Sequence, residues 1–145
     1  MQVDPRGQRS AAAITTVVLI AVLVTGSWVL LAAQAAVFAI ATVFGLRYAP
    51  YGLLYQALIR PRLGPPRETE DAGPPRFAQG VGLVFALVGT VGYALELTWL
   101  GIGATAFALG AAFLNAVFGF CLGCEMYLLT RRITTKIRSD REVPA

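Results

Sequence analysis

The chain has no histidine, two cysteines and eight acidic residues in 145. Without histidine there is no imidazole base for a nucleophilic triad, and the usual nitrogen ligand of zinc is missing. Charged side chains are also scarce. They make up 14% of the chain, against about 25% in soluble domains, too few to coat a globule with a polar surface. No glycine-rich loop ends in a phosphate-cradling lysine, and no paired carboxylates stand on a polar scaffold. These absences set aside phosphate-loop nucleotide chemistry and two-carboxylate acid–base chemistry, and they leave an apolar chain whose few charges are unevenly placed.

All twelve Lys and Arg lie in three segments: Arg6–Arg9, Arg47–Arg76 and Arg131–Arg141. Between them run two long apolar tracts. Ser10–Leu46 holds no charge, and Phe77–Thr130 holds only Glu96 and Glu125. Such tracts need hydrocarbon around them. The net charge of +4 fits membrane anchoring. It gives no sign of nucleic-acid binding, because basic and aromatic residues do not interleave on a soluble element.

A span needs about 20 residues to cross about 30 Å of hydrocarbon. Each tract is therefore read as a helical hairpin, broken near Thr25-Gly26-Ser27-Trp28 and near Glu96-Leu97-Thr98-Trp99-Leu100-Gly101, where Gly weakens the helix and Trp favours the interface. The predicted helices are 11–25, 28–44, 77–95 and 103–129, in a single integral membrane domain covering 1–145. The fold class is thus all-α: a four-helix transmembrane bundle. The basic loop 47–76 and the basic tail 131–145 fall on the same side as the N-terminus, which predicts an inner (plasma) membrane protein with both ends cytoplasmic. A cleavable signal ending at Ala33-Gln34-Ala35 is the rival reading. It is disfavoured because the apolar run continues to Phe44, beyond the about 7–15 residues of a signal core.

Within the loop, Tyr51, Leu54, Tyr55, Leu58 and Ile59 follow helical spacing, and Pro50 and Pro61 frame them. This predicts a short amphipathic helix on the inner membrane surface. Gly64–Pro75 reads as a polar, Pro-rich, mobile connector.

The chemistry concentrates at Cys121-Leu122-Gly123-Cys124-Glu125. On one continuous helix, Cys121, Cys124 and Glu125 share a face, and counting back from Arg131 puts Cys124 about 10 Å and Cys121 about 15 Å inside the boundary. A carboxylate at that depth needs protonation, a wet cavity or an Arg; Arg131, Arg132, Arg47 and Arg60 are candidate partners. Glu125 would then serve as proton acceptor for a thiol, given a neutralising cation. The pair admits three readings: thiol–disulfide or sulfur exchange, plain packing of small apolar residues, and a metal site short of the usual four ligands. A permanent disulfide conflicts with a reducing compartment. Gly119 and Gly123 form a small-residue pair, with Asn115 on the same stripe bonding to a neighbouring helix; Gly82, Gly89 and Gly92 mark close contacts on the third helix. No cofactor is indicated.

The ending Phe118-Gly119-Phe120-Cys121-Leu122-Gly123-Cys124, together with the Arg47-Tyr48-Ala49-Pro50 stretch after an apolar hairpin, resembles bacterial membrane proteins grouped as domain of unknown function 4395. That resemblance covers most of the chain and carries no established activity. It implies, by association alone, a thioredoxin-like or sulfurtransferase partner, and it singles out Cys121 and Cys124. Three functions stay open: a membrane thiol component serving such a cytoplasmic partner, a non-catalytic membrane subunit or scaffold, and an oligomeric carrier for a sulfur species or metal. Whether the chain is an enzyme stays open with them.

Overall fold

The computed structural model describes residues 2–65 and 69–142. They form seven α-helices: α1 Pro5–Thr25, α2 Trp28–Val43, α3 Pro50–Leu58, α4 Arg60–Leu63, α5 Gly73–Ala94, α6 Thr98–Phe118 and α7 Leu122–Glu142. A 3-10 turn, Leu46–Tyr48, joins α2 to α3. The all-α expectation holds, apart from one short antiparallel pairing of Gln2–Val3 with Glu70–Asp71. Three helices, α1, α5 and α6, are long and apolar enough to cross a membrane, whereas α2 is apolar but only 16 residues long. This is a helical membrane protein.

Local chemistry explains the boundaries. α1 starts six residues before the predicted Ala11, because the Asp4 carboxylate accepts the Arg6 backbone N–H at 2.9 Å and Pro5 is preset for a first turn. Gly26, left-handed at φ 65°, ends it, and Ser27 caps α2 by accepting from the Leu30 N–H at 3.2 Å. At the other turn Glu96 takes the left-handed position (φ 61°), and the Leu97 N–H closes back on the Gly92 carbonyl at 2.8 Å. Both expected hairpin breaks are present. The predicted 103–129 helix is not: it divides into α6 and α7, and α7 carries on through the basic segment to Glu142.

The two hairpins pack into one bundle in which α2 runs antiparallel along α5 and α1 along α6. Down the α2–α5 seam, Leu31 meets Gly89, the Phe38 ring lies on Gly82, and Thr42 meets Gly80. Near the α5–α6 turn a Cβ on Gly92 would come within 2.6 Å of the Gly101 amide nitrogen, so the α5 and α6 backbones touch. The close contacts expected of Gly82, Gly89 and Gly92 are real. Leu19, Val22, Leu31, Ala35, Phe38, Ala86 and Ala108 fill the centre. Large apolar residues such as Val24, Val84 and Phe107 face outward, as a lipid-facing surface requires. Trp28 and Trp99 mark one end of the bundle, and Arg9 and Arg76 mark the other.

At that basic end two guanidinium groups reach the last carbonyls of neighbouring helices. Arg76 of α5 donates to the Thr42 and Val43 carbonyls at the end of α2 (2.7 and 2.9 Å). Arg9 of α1 donates to Ala116 and Val117 at the end of α6 (3.2 and 3.1 Å). Each satisfies carbonyls that an α-helix terminus leaves open.

The predicted amphipathic helix is α3, but its two tyrosines turn into the bundle. Tyr55 is buried on Gly7 and donates to Asp4 at 2.8 Å, and Tyr51 donates to the buried Gln34 Oε1 at 2.6 Å. Leu54, Leu58 and Ile59 stay exposed. Asp4 also pairs with Arg6, which reaches the Gly64 carbonyl at 3.0 Å. Of the predicted connector, Pro66, Arg67 and Glu68 lie outside the described residues, and Gly73–Pro75 form the first turn of α5. In the tail, Val143, Pro144 and Ala145 also lie outside them.

Candidate thiol site at the α6–α7 break

The helical hydropathy runs without interruption through Phe118-Gly119-Phe120-Cys121, yet the backbone breaks there. Gly119 adopts φ 68°, a conformation open to glycine at little cost, and the Gly119 and Phe120 amides fold back onto the Asn115 and Leu114 carbonyls. Cys121 is therefore no mid-helix residue. It precedes α7 as an N-cap would: its Sγ accepts the Cys124 N–H at 3.2 Å, and its carbonyl accepts the Glu125 N–H at 3.0 Å. A sulfur there sits at the positive end of the helix dipole, which favours thiolate over thiol.

The Cys121 and Cys124 sulfurs are joined as a disulfide, with the Cα atoms 5.1 Å apart. The expected shared face of one helix is replaced by a cap-and-first-turn arrangement that brings the two sulfurs together. Glu125 follows in the same first turn, exposed. No ion pair joins it to Arg131, Arg132, Arg47 or Arg60 among the described residues. Arg131 instead lies 5.8 Å over the Tyr127 ring, and Arg47 over Tyr48.

The depth also differs from the expectation. Gly123 is buried against Ala78 on the first turns of α5, with Tyr127 tilted against Phe77 at 5.7 Å between ring centroids. Ala78 is two residues from Arg76, so the pair stands at the basic boundary of the bundle rather than 10–15 Å within. Counting back from Arg131 misplaced it because α7 is a separate helix leaving the bundle. The anticipated Gly119–Gly123 stripe is likewise absent: Gly119 ends one helix and Gly123 belongs to the next.

Two cavities meet at this place. The more polar one, of about 290 Å³, is lined by Arg9, Gln8, Gln79, Asn115, Cys121, Cys124 and Glu125, with prolines and apolar side chains among the rest. An apolar one of about 250 Å³ reaches into the bundle between Phe38, Phe85 and Phe107, and shares Cys121, Gln8, Gln79 and Asn115 with the first. Asn115 lines both and, among the described residues, makes no side-chain bond to a neighbouring helix, contrary to its expected role. Among the described residues no group of three or more His, Cys, Asp or Glu is close enough to hold a metal ion.

Residues 3–132 match the family described as domain of unknown function DUF4395. The chain belongs to that family. The matched span of this DUF4395 protein takes in both hairpins, the helix break and both cysteines, and it ends inside α7. No match was found among curated proteins or solved structures.

Sequence reasoning found Cys121, Cys124 and Glu125, and the structure puts all three on the polar cavity. It missed Arg9, Gln8, Gln79 and Asn115 as site residues. Arg9 had counted only as a flanking charge, although its position one residue before an uncharged tract was the available signal. Gln79 is the one amide in the first half of the second tract, and that rarity marked it too.

Proposed function

We propose that this chain is a four-span membrane thiol component whose Cys121–Cys124 pair exchanges electrons or sulfur with a cytoplasmic thioredoxin-like or sulfurtransferase protein. The observation that carries the reading is the closed pair at the start of α7, on a cavity open toward the basic end. Packing supports the four-span reading: the apolar α2 lies along α5 from Leu31 to Thr42. The basic end is then cytoplasmic by the distribution of Lys and Arg.

In the exchange a partner thiolate attacks one sulfur of the pair and forms a mixed disulfide. The second partner thiol releases it, leaving the partner oxidised and Cys121 and Cys124 as thiols. Cys121 is the stabilised leaving thiolate, because the Cys124 N–H and the helix dipole act on its sulfur. Glu125 lines the same cavity and acts as the local proton acceptor, with Arg9 as a cation on the cavity wall. The disulfide need not be permanent: a pair that opens and closes in turnover is compatible with a reducing compartment.

The test uses membranes holding a Cys121→Ser chain. A mixed disulfide should form through Cys124, the sulfur left bound to the partner once Cys121 departs, and yield a single thioredoxin-like or sulfurtransferase partner on reduction. If Cys121→Ser with Cys124→Ser leaves a sulfur- or redox-stress phenotype unchanged, the pair only packs and the scaffold reading stands.

A further inference from the structure

We propose that the Cys121–Cys124 pair passes its electrons to a membrane quinone whose ring enters the apolar cavity beside Cys121. This rests on the thiol-exchange reading above and names the oxidant that reading requires. The cavity, at about 250 Å³, lies below the about 300–1,000 Å³ of sites that enclose a drug-sized ligand, so it suits a ring head and not a whole lipid. Its wall carries Phe85 and Phe107, stacked with centroids 6.0 Å apart and planes at 30°. Phe107, in the middle of α6, is 72% exposed on the outward face of the bundle. The chamber therefore borders hydrocarbon, and a tail can leave between helices.

The opposite end of the chamber is polar in the way a quinone needs. A quinone ring is apolar apart from two carbonyl acceptors, and Gln8, Gln79 and Asn115 place amide donors where the chamber meets the polar cavity. Among the described residues none of these three side-chain amides has a hydrogen-bond partner. Cys121 lines the same junction, so a carbonyl held by the amides lies beside the sulfur.

The chemistry balances. Reduced Cys121 and Cys124 lose two S–H bonds and gain one S–S bond. The two electrons and two protons convert both quinone carbonyls to hydroxyls, and the quinol leaves into the bilayer. The next partner dithiol reopens the disulfide, so each cycle oxidises one partner dithiol and reduces one quinone.

The experiment uses the full chain in lipid nanodiscs, reduced and freed of reductant, with decylubiquinone, whose ring carbons are fully substituted and resist thiol addition. Quinol should form at one equivalent per chain, together with the Cys121–Cys124 disulfide, and Cys121→Ser with Cys124→Ser should form none. Ala112→Phe, which fills the chamber, should slow the reaction about tenfold or more, the factor that about 1.4 kcal/mol of lost binding produces. Asn115→Leu should raise the quinone concentration giving half-maximal rate. Diamide, a water-soluble thiol oxidant, reports separately on the pair. If diamide closes the disulfide but decylubiquinone yields no quinol, or if both variants react like the wild type, the quinone proposal is overturned and thiol exchange survives. If diamide fails to close the pair as well, the thiol reading itself falls.

Discussion

Gly123→Ala tests whether the α5–α7 contact holds the cysteine pair in place. The added Cβ would lie 2.5 Å from the Ala78 Cβ and 2.6 Å from the Ala78 Cα. Carbon–carbon contacts settle at about 3.5–4.0 Å, so α7 must retreat from α5 by about 1 Å. Overpacking of this kind costs about 1–3 kcal/mol, which lowers the melting temperature by about 2–12 °C in a chain of this length. Ala78→Gly in the same chain should recover little, because the backbone Cα remains as close as the methyl it carries. Gly110→Ala is the control. It sits in α6 with nothing within 4 Å of a new Cβ, so it should lose no stability and gain up to about 1 kcal/mol from helix propensity. Thermal unfolding in one detergent, followed by circular dichroism, compares all four proteins. If Gly123→Ala melts with the wild type, or Gly110→Ala is as damaging, the close approach of α7 to α5 is not what anchors the site.

Other expectations follow from the polar contacts of the bundle. Tyr51→Phe strands the buried Gln34 Oε1, whose neighbouring Nε2 already has no partner, and should cost about 1–3 kcal/mol. Tyr51→Phe combined with Gln34→Leu should cost less than Tyr51→Phe alone, because the stranded amide is gone; a larger loss in thermal unfolding would contradict this. The Asp4 carboxyl, though its partial burial opposes ionisation, is held below its ordinary value by bonds from Arg6 and Tyr55. A depressed carboxyl stabilises the fold above its unfolded value and loses that contribution as pH falls through the lower folded value. Acidification from pH 6 to about pH 3 should thus loosen α3 from α1, seen as faster amide exchange in Pro50–Leu58, and Asp4→Asn should remove the pH dependence. Arg9→Ala should uncover the last carbonyls of α6, costing about 1 kcal/mol at this exposed site, and should also change the rate of Cys121 alkylation. An unchanged rate would take Arg9 out of the site.

Both hairpin turns were legible because an interfacial Trp stands at each, beside Gly26 at the first and the lone charge Glu96 at the second; Gly101, the other signal there, lies inside α6. The start of α1 was missed because hydropathy begins at Ala11, whereas the helix begins with a cap: Asp4-Pro5 is a stronger statement about the backbone than the charges after it. The break at Gly119 was hidden for the opposite reason. Glycine is tolerated inside membrane helices, and Gly103 to Leu129 reads as one apolar run. What marked the break was the order of residues: a glycine, a cap-competent Cys121 and the first-turn acid Glu125. The inward turn of Tyr51 and Tyr55 was not legible at all, since it depends on Gln34 and Asp4 lying opposite them in space. The cavities belong to the same class of fact, being made by residues from α1, α5, α6 and α7 that no local pattern connects.

The two arginine caps have a consequence for how the molecule is put together. Arg9 belongs to the first hairpin and completes α6 of the second; Arg76 belongs to the second and completes α2 of the first. Each hairpin, inserted alone, leaves carbonyls without their arginine: Thr42 and Val43 in the first, Ala116 and Val117 in the second, and the first emerges from synthesis before the second can cover it. The straps are mutual and do not depend on the covalent link between the hairpins. A chain cut between α4 and α5 and made as two fragments is therefore expected to recombine in the membrane, each piece supplying the cation the other lacks.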